Sequence, residues 1–389
     1  MVQGTPYYEY QRKIQGERIP YYEPWIGEEE LSQVTEVIRT GWVSEGAKTR
    51  AFENAIADRF GVEHALAVSN CTAALIISMK ALGIGPGDEV IAPAFTFIAS
   101  VSAIKLAGAT PVLVDVDRRT FNIDAALVER SITPRTKAVI PVHLYGQAAD
   151  MDAILSIARR HDLLVIEDAA QGMGVKFEGK PVGSFGDTGC LSFFADKSVT
   201  LGEGGIVLTN SEDTARELLM LKNDGRLERG MYYHDRIGYN FRITELQAAL
   251  GLAQLAKVDA IIERKRRNLD LYRELLADVE GVELPYQDPR SFSVPHRVNI
   301  LVDDPEGLEK AMAEDGIGCR RFFYPIHKQP AFNLPLSFPV AELLYERGFS
   351  LPSSPLLTED QIHFICARLK ANLARGTRLI PVEEKIARP

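Results

Sequence analysis

Residues 192–205 read Ser-Phe-Phe-Ala-Asp-Lys-Ser-Val-Thr-Leu-Gly-Glu-Gly-Gly, and this stretch decides the interpretation of the whole chain. Its lysine, Lys197, stands before a glycine-rich turn and after a predicted strand that leads into Glu167 and Asp168. A lone lysine is most often a solvated surface residue. In this setting, however, the Lys197 amine can form a Schiff base with an aldehyde, and the Asp168 carboxylate can keep a pyridine nitrogen protonated. The stretch therefore predicts a pyridoxal 5′-phosphate site.

Strands and helices alternate along the first half of the chain. The pattern predicts strands at 64–68, 89–92, 110–114, 138–141 and 163–166, with helices at 71–82, 97–107 and 151–161. Such alternation predicts an α/β fold whose large domain has a mostly parallel mixed sheet flanked by helices. Ligands of such sheets bind at the carboxyl ends of the strands. Residues that follow strand ends are expected to converge there: Thr72, Phe97, Asp168 and Gln171.

The length of 389 residues suits two domains. We expect residues 1–17 to form an N-terminal extension, residues 18–259 a cofactor-binding large domain, and residues 260–389 a smaller α+β C-terminal domain. Apolar residues at helical spacing predict one long helix over residues 244–275, which would bridge the two domains.

Composition excludes several classes of function. A net charge of −9 and a pI near 5.5 argue against a nucleic-acid partner. The four cysteines lie far apart without a C-x-x-C pair, so no metal or redox site is expected. The N-terminus has no apolar segment typical of a signal peptide, and no apolar run is long enough for a membrane span. We therefore predict a cytoplasmic protein without metal, nucleic-acid or membrane partners.

Each candidate residue also has a purely structural interpretation. Residues 69–74 start a helix whose free N–H groups can hold a phosphate, but Ser69 or Asn70 can simply cap that helix. Phe97 can stack on a flat ring or pack in the core. Glu167 and Asp168 can serve a cofactor or form an acid pair at a helix N-terminus.

Taken together, these segments resemble the DegT/DnrJ/EryC1/StrS group of sugar aminotransferases, which have the fold-type I (aspartate aminotransferase-like) architecture. The resemblance runs from about Ile19 to Leu373. It is carried by residues 85–90 (GPGDEV), 142–146 (VHLYG), 167–171 (EDAAQ) and 238–242 (GYNFR). The tail beyond Arg375 is not matched.

The resemblance implies roles for residues around the cofactor ring. Lys197 matches the Schiff-base lysine, and Asp168 matches the acid that pairs with the pyridine nitrogen. Gln171 matches a residue near the ring hydroxyl. Phe97 matches the aromatic residue that stacks on the ring.

The resemblance also implies a phosphate site that two subunits share. Thr72, Ala73 and Ser192 match the positions that hold the phosphate. Asn240 matches an asparagine that reaches the phosphate from the neighbouring subunit, which implies a homodimer with shared active sites. Arg242 follows in the same motif and is a candidate substrate-binding residue.

Within the family, residues 320–327 (RRFFYPIH) and 233–235 (YHD) look most like those of GDP-perosamine synthases, which aminate the 4-keto group of a GDP-linked 4-keto-6-deoxysugar. Tyr324 and His327 are therefore further candidate substrate-binding residues, although His327 can equally be a structural loop histidine. L-Glutamate is the donor that the resemblance implies, and the pathway it implies is synthesis of a surface polysaccharide such as O-antigen.

Several positions depart from the family pattern. Asp196 stands where asparagine is common, and Cys71 stands where glycine is frequent. Arg321 replaces a common proline. His296 and Arg297 stand where the perosamine synthases tend to be aromatic. Because of Arg297 and Arg321, the resemblance does not decide which sugar is the substrate.

The alternatives are amination at C3 or C4 of a dTDP- or UDP-linked sugar, another pyridoxal phosphate reaction, or a non-catalytic regulatory homologue. Lys197 argues against a dehydratase of the same fold, because those relatives have histidine there.

Overall fold

A seven-stranded sheet forms the centre of the computed structural model, which describes residues 18–227 and 232–376. The predicted extension at residues 1–17 lies outside the described residues. The strands are β1 (His64–Val68), β2 (Glu89–Pro93), β3 (Thr110–Val114), β4 (Thr136–Val139), β5 (Leu164–Asp168), β6 (Lys176–Phe177), β7 (Lys180–Pro181), β8 (Thr188–Ser192), β9 (Gly205–Thr209), β10 (Ser291–Phe292), β11 (Val298–Leu301), β12 (Arg320–Arg321) and β13 (Gly348–Leu351).

The large sheet is mixed and mostly parallel, as the sequence predicts. Its strand order is β1-β9-β8-β5-β4-β2-β3. The pairs from β8 through β5, β4 and β2 to β3 are parallel, whereas β9 runs antiparallel to both of its neighbours. Strand β1 therefore points the same way as β2, β5 and β8, and the carboxyl ends of these four strands lie along one edge.

Helices cover both faces of this sheet. They are α1 (Glu28–Thr40), α2 (Ala47–Phe60), α3 (Cys71–Ala81), α4 (Ala99–Ala107), α5 (Ala125–Arg130), α6 (Met151–His161), α7 (Glu212–Lys222), α8 (Glu245–Ala256), α9 (Val258–Leu276), α10 (Pro305–Glu314), α11 (Pro339–Arg347) and α12 (Glu359–Gly376). Among the described residues, none of these helices combines the length and the apolar character that crossing a bilayer requires.

The prediction of one continuous helix over residues 244–275 is wrong. Helix α8 ends at Ala256 and α9 starts at Val258, because Lys257 between them has φ −116° and ψ 10°. The Lys257 amine lies 2.7 Å from the Glu30 carboxylate of α1. The apolar spacing continues across the break, so the sequence pattern does not reveal it.

Alternate residues of each strand fill two separate cores. Leu113 packs in a cluster with helices α3, α4 and α7, while its neighbour Val114 packs in a cluster with α2, α6 and α8. Successive strand side chains point to opposite faces, so a sheet that is buried on both sides reads as a nearly continuous apolar run. Both faces are covered, which leaves the strand ends as the open part of the sheet.

A third core lies around the antiparallel sheet β11-β13-β12. Helices α9, α10 and α12 pack there through residues such as Tyr272, Met312 and Ile365. Ile19 joins the same cluster and forms a bridge with Ile317. The division of the chain at residue 260 stays a prediction.

Candidate active site

A cavity of about 770 Å³ opens at the carboxyl edge of the large sheet. Seven of the residues that the sequence nominates for cofactor binding line it: Thr72, Ala73, Phe97, Asp168, Gln171, Ser192 and Lys197. They come from the ends of β5 and β8, from the start of α3 and from the segments that follow β2, β5 and β8. The sheet thus brings together residues that are spread over positions 72–197 of the chain.

Lys197 presents its amine inside this cavity. The Nζ atom lies 3.4 Å from Nε2 of His296 and 3.3 Å from a carboxylate oxygen of Asp196. Burial lowers the pKa of Lys197, and the Asp196 carboxylate opposes that shift in part. The Tyr22 hydroxyl donates a 2.7 Å hydrogen bond to the Lys197 carbonyl oxygen, which fixes the backbone of this loop. An amine with a lowered pKa is more often neutral and hence nucleophilic.

Asp168 is the last residue of β5 and is 4% exposed. One carboxylate oxygen accepts a hydrogen bond of 2.7 Å from the Ser100 hydroxyl, and the other accepts one of 3.1 Å from the Ala170 N–H. Burial raises the pKa of Asp168, while the Ser100 bond opposes the rise. A buried carboxylate is costly unless a cation or several donors meet it. The site therefore favours a protonated ring nitrogen beside Asp168.

Gln171 and Phe97 also line the cavity. The Gln171 side-chain oxygen accepts a hydrogen bond from the N–H of Tyr145, which leaves its amide N–H₂ group for a ligand. Phe97 is 55% exposed, and its ring centroid lies 5.7 Å from that of Phe323. A large aromatic ring this exposed at a cavity offers one face for stacking.

The start of helix α3 forms the polar end of the cavity. Asn70 caps the helix, because its side-chain oxygen accepts a 2.9 Å hydrogen bond from the Ala73 N–H. The capping interpretation is therefore correct, and the Ala73 N–H is already used by the cap. Other N–H groups of a first helical turn have no partner within the helix, and with the helix dipole they suit an anion. Thr72 and Ser192 place hydroxyl groups at this end.

Four nominated residues do not line the cavity. Asn240 is exposed, and Arg242 lies 2.6 Å from the Asp224 carboxylate. Tyr324 packs edge-on against a neighbouring tyrosine ring and is 38% exposed. His327 is buried, with Nε2 at 3.0 Å from Glu342. The surroundings of His327 agree with its structural interpretation. The role of Asn240 in a partner subunit's site stays a prediction.

The sequence did not nominate Ser100, Tyr22, His296 or Arg297 for the site. The position of Ser100, three residues after Phe97 at a helix start, was a usable signal because such a residue shares a helix face with the stacking candidate. No local pattern places the others, since Tyr22 and His296 meet Lys197 across 175 and 99 residues.

The residues at the cavity fit pyridoxal 5′-phosphate. The buried Asp168 carboxylate suits a protonated ring nitrogen, the exposed face of Phe97 suits a flat ring, and the first turn of α3 suits a phosphate. The Lys197 amine completes the set on the remaining side.

Comparisons with known proteins give the same assignment. The sequence pattern of the DegT/DnrJ/EryC1/StrS aminotransferase family matches residues 24–370. The chain is 41% identical to the GDP-perosamine synthase of Escherichia coli O157:H7, over 90% of this chain and 96% of that protein. It is 42% identical to the UDP-N-acetyl-3-dehydro-α-D-glucosamine 3-aminotransferase of Acidithiobacillus ferrooxidans, over 84% and 89%.

A solved structure agrees as well. Spr1654 of Streptococcus pneumoniae, described as a sugar aminotransferase and solved in its PLP form, superposes with a TM-score of 0.88 at 28% identity, over 92% of this chain and 99% of that one. This chain belongs to the DegT/DnrJ/EryC1/StrS aminotransferase family.

Proposed function

We propose that this enzyme moves the amino group of L-glutamate to the keto carbon of a nucleotide-linked keto-deoxysugar, with a GDP-4-keto-6-deoxyhexose as the first candidate. The observation that carries the proposal is the Lys197 amine in a cavity of about 770 Å³ that Asp168 also lines. The identity of 41% to a GDP-perosamine synthase supports the sugar nucleotide.

Pyridoxal 5′-phosphate supplies a carbonyl that takes up the amino group and a ring that accepts electrons from the neighbouring carbon. Lys197 binds this carbonyl and, once released from it, carries the proton between the donor's α-carbon and the carbon next to the ring. The lowered pKa of Lys197 suits both tasks, since each needs the neutral amine.

The other residues bind and orient the cofactor. Asp168 keeps a proton on the ring nitrogen, and Ser100 orients that carboxylate through its 2.7 Å hydrogen bond. Phe97 covers one face of the ring and excludes water from it. The start of α3, with Thr72 and Ser192, binds the phosphate.

A second candidate substrate is a UDP-linked sugar. The relative from Acidithiobacillus ferrooxidans, whose name gives a UDP-sugar, has the same level of identity as the perosamine synthase relative. A screen of GDP-, UDP- and dTDP-linked ketosugars with the aminated form of the enzyme separates the two, because only the true acceptor restores the visible band of the bound cofactor.

The predicted homodimer, the domain division at residue 260 and the cytoplasmic location are parts of the same proposal. The exposed side chain of Asn240 supports a role in a neighbouring subunit's site, and the separate core around β11 supports the smaller domain. The dimer is tested by mixing Lys197→Ala with Asn240→Ala. If two chains share each site, two inactive variants regain about a quarter of the wild-type activity on mixing.

The first experiment is the visible spectrum of the purified enzyme before and after addition of L-glutamate. We expect the cofactor band to bleach with release of 2-oxoglutarate. Lys197→Ala is expected not to turn over, while Lys310→Ala, which changes a lysine whose side chain is 72% exposed, behaves as wild type. A band that ignores glutamate would point to another donor or another reaction, and no band with added cofactor would refute the proposal.

A further inference from the structure

Arg297 places a cationic side chain in the wall of the same cavity. It follows His296, whose ring lies 3.4 Å from the Lys197 amine, and it precedes strand β11. The charge of Arg297 is felt at the reacting amine, since it contributes to the lowered pKa of Lys197. The guanidinium and the Lys197 amine thus lie in the wall of one cavity.

Aromatic rings, and no carboxylate, hold this guanidinium. Its central carbon lies 4.9 Å from the ring centroid of Phe323, 5.3 Å from that of Tyr21 and 5.8 Å from that of Tyr145. Within residues 18–227 and 232–376, Arg297 forms no salt bridge. Rings that pack on the faces of a guanidinium leave its N–H edge available for a planar acceptor.

Two polar atoms at this point lack a partner in the described part of the chain. The Nε atom of Arg297 and the hydroxyl of Tyr21 are both buried and form no hydrogen bond there. A buried donor without an acceptor costs about 1–3 kcal/mol, and a charged one costs more. Such a cost is offset when a ligand supplies the acceptor.

We propose that Arg297 binds a carboxylate that a substrate carries close to its reacting carbon. This inference rests on the proposed function and names what that site recognises. The planar guanidinium matches a carboxylate in a two-point contact.

A nucleotide diphosphate fits this position poorly. Its phosphates are attached at the anomeric carbon, so much of the sugar ring separates them from a keto group at C3 or C4. A carboxylate that is bonded to the reacting carbon, or to its neighbour, reaches the wall beside Lys197 directly.

Two substrates can supply such a carboxylate. One is the amino donor, whose α-carboxylate is bonded to the carbon that loses the amino group. The other is a ketosugar that is oxidised to a uronate at C6, which would take the place of the 6-deoxysugar as acceptor. The two half-reactions of a transaminase can be measured separately, so the source can be identified.

The variants are Arg297→Met, which removes the charge, and Arg297→Lys, which keeps the charge without the planar fork. Arg320→Met is the matched control. The Arg320 guanidinium also lies 5.3 Å from the Tyr21 ring, but Arg320 does not line the cavity.

The first measurement is the binding of glutarate, a dicarboxylate without an amine, to the holoenzyme by isothermal titration calorimetry. The second is the dependence of each half-reaction on substrate concentration. If the donor is the source, Arg297→Met weakens glutarate binding and raises the glutamate concentration for half-maximal bleaching, each by tenfold or more. Arg297→Lys falls between, and Arg320→Met matches wild type.

If a uronate is the source, glutarate binding is unchanged in Arg297→Met. The aminated wild-type enzyme then reacts with a keto-uronate nucleotide at least tenfold more efficiently than with the neutral ketosugar, and Arg297→Met loses that preference. If neither half-reaction responds to the loss of the charge, the inference about Arg297 is overturned. Failure of the wild-type cofactor band to respond to any donor would instead refute the proposed function.

Discussion

The hydroxyl of Ser100 donates a hydrogen bond of 2.7 Å to the carboxylate of Asp168 across 68 residues of sequence. Because a hydroxyl has one proton, the contact of 3.0 Å between Ser100 and Thr96 is made with Thr96 as the donor. Thr96 therefore donates to Ser100, and Ser100 donates to the carboxylate of Asp168. The bond from Ser100 fixes the position of one oxygen of the Asp168 carboxylate.

Replacing Ser100 by alanine is expected to weaken cofactor binding. A hydrogen bond to a charged group contributes about 1.5–3 kcal/mol, so the dissociation constant for pyridoxal 5′-phosphate should rise by about ten- to a hundredfold. A titration of the apoenzyme, followed by visible absorption, measures it. Ser102→Ala is the matched control on the same helix, since the Ser102 hydroxyl bonds, among the described residues, only to the backbone carbonyl of Ala99. Equal affinities for the two variants would contradict the role of Ser100.

Removing the amine of Lys265 is expected to stabilise the protein, and more so at neutral pH than at high pH. Lys265 is 1% exposed, its amine has no hydrogen-bond partner among the described residues, and burial lowers its pKa to about 7. Between pH 7 and the ordinary lysine pKa, the unfolded chain binds the extra proton, so the stability of the wild type rises with pH in that window.

Lys265→Met should therefore raise the free energy of unfolding by a few kcal/mol at pH 6, and by much less at pH 10. Chemical denaturation at both values measures the difference. Lys310→Met on the surface should show no such trend. A gain that does not change with pH would show that packing, and not the buried charge, is responsible.

Loss of the Glu167 charge is expected to destabilise the fold beside the active site. The buried Glu167 carboxylate accepts hydrogen bonds of 2.7, 2.6 and 2.8 Å from three backbone N–H groups and lies 3.0 Å from His143. Glu167→Gln should lower the stability by about 2–4 kcal/mol, because an amide replaces one acceptor oxygen by a donor. Thermal unfolding compares it with Glu306→Gln, which removes a surface ion pair with Lys310 and is expected to change the stability little. Equal melting temperatures would refute this account.

A side chain at Gly205 should displace the start of helix α3. A Cβ atom there would stand 2.7 Å from the Cys71 backbone nitrogen and 2.5 Å from the Asn70 carbonyl oxygen, which are parts of the backbone. Gly205→Ala is therefore expected to weaken binding of the cofactor phosphate, while the melting temperature changes little. Gly85→Ala, which has an ordinary φ and meets nothing closer than 4.0 Å, should bind the cofactor normally.

The sequence predicted local structure well and distant contacts poorly. The strands His64–Val68 and Thr110–Val114 and the helix Met151–His161 have the predicted bounds, because apolar periodicity is a local property. The break at Lys257 was missed, since it goes with an ion pair to Glu30 that lies far back in the chain.

The residues of the candidate site show the same difference between local patterns and distant contacts. Lys197 and Asp168 follow recognisable motifs at strand ends, so their meeting was predictable. His296 and Tyr22 reach Lys197 from the small sheet and from the N-terminal segment, and only the packing of these parts brings them together.

The segment at residues 18–23 ties the small sheet to the lysine loop, with Ile19 bridged to Ile317 and Tyr22 bonded to the Lys197 carbonyl. The family pattern begins only at residue 24. A comparison that starts at residue 24 therefore leaves out the residues that support the Lys197 loop from the N-terminal side.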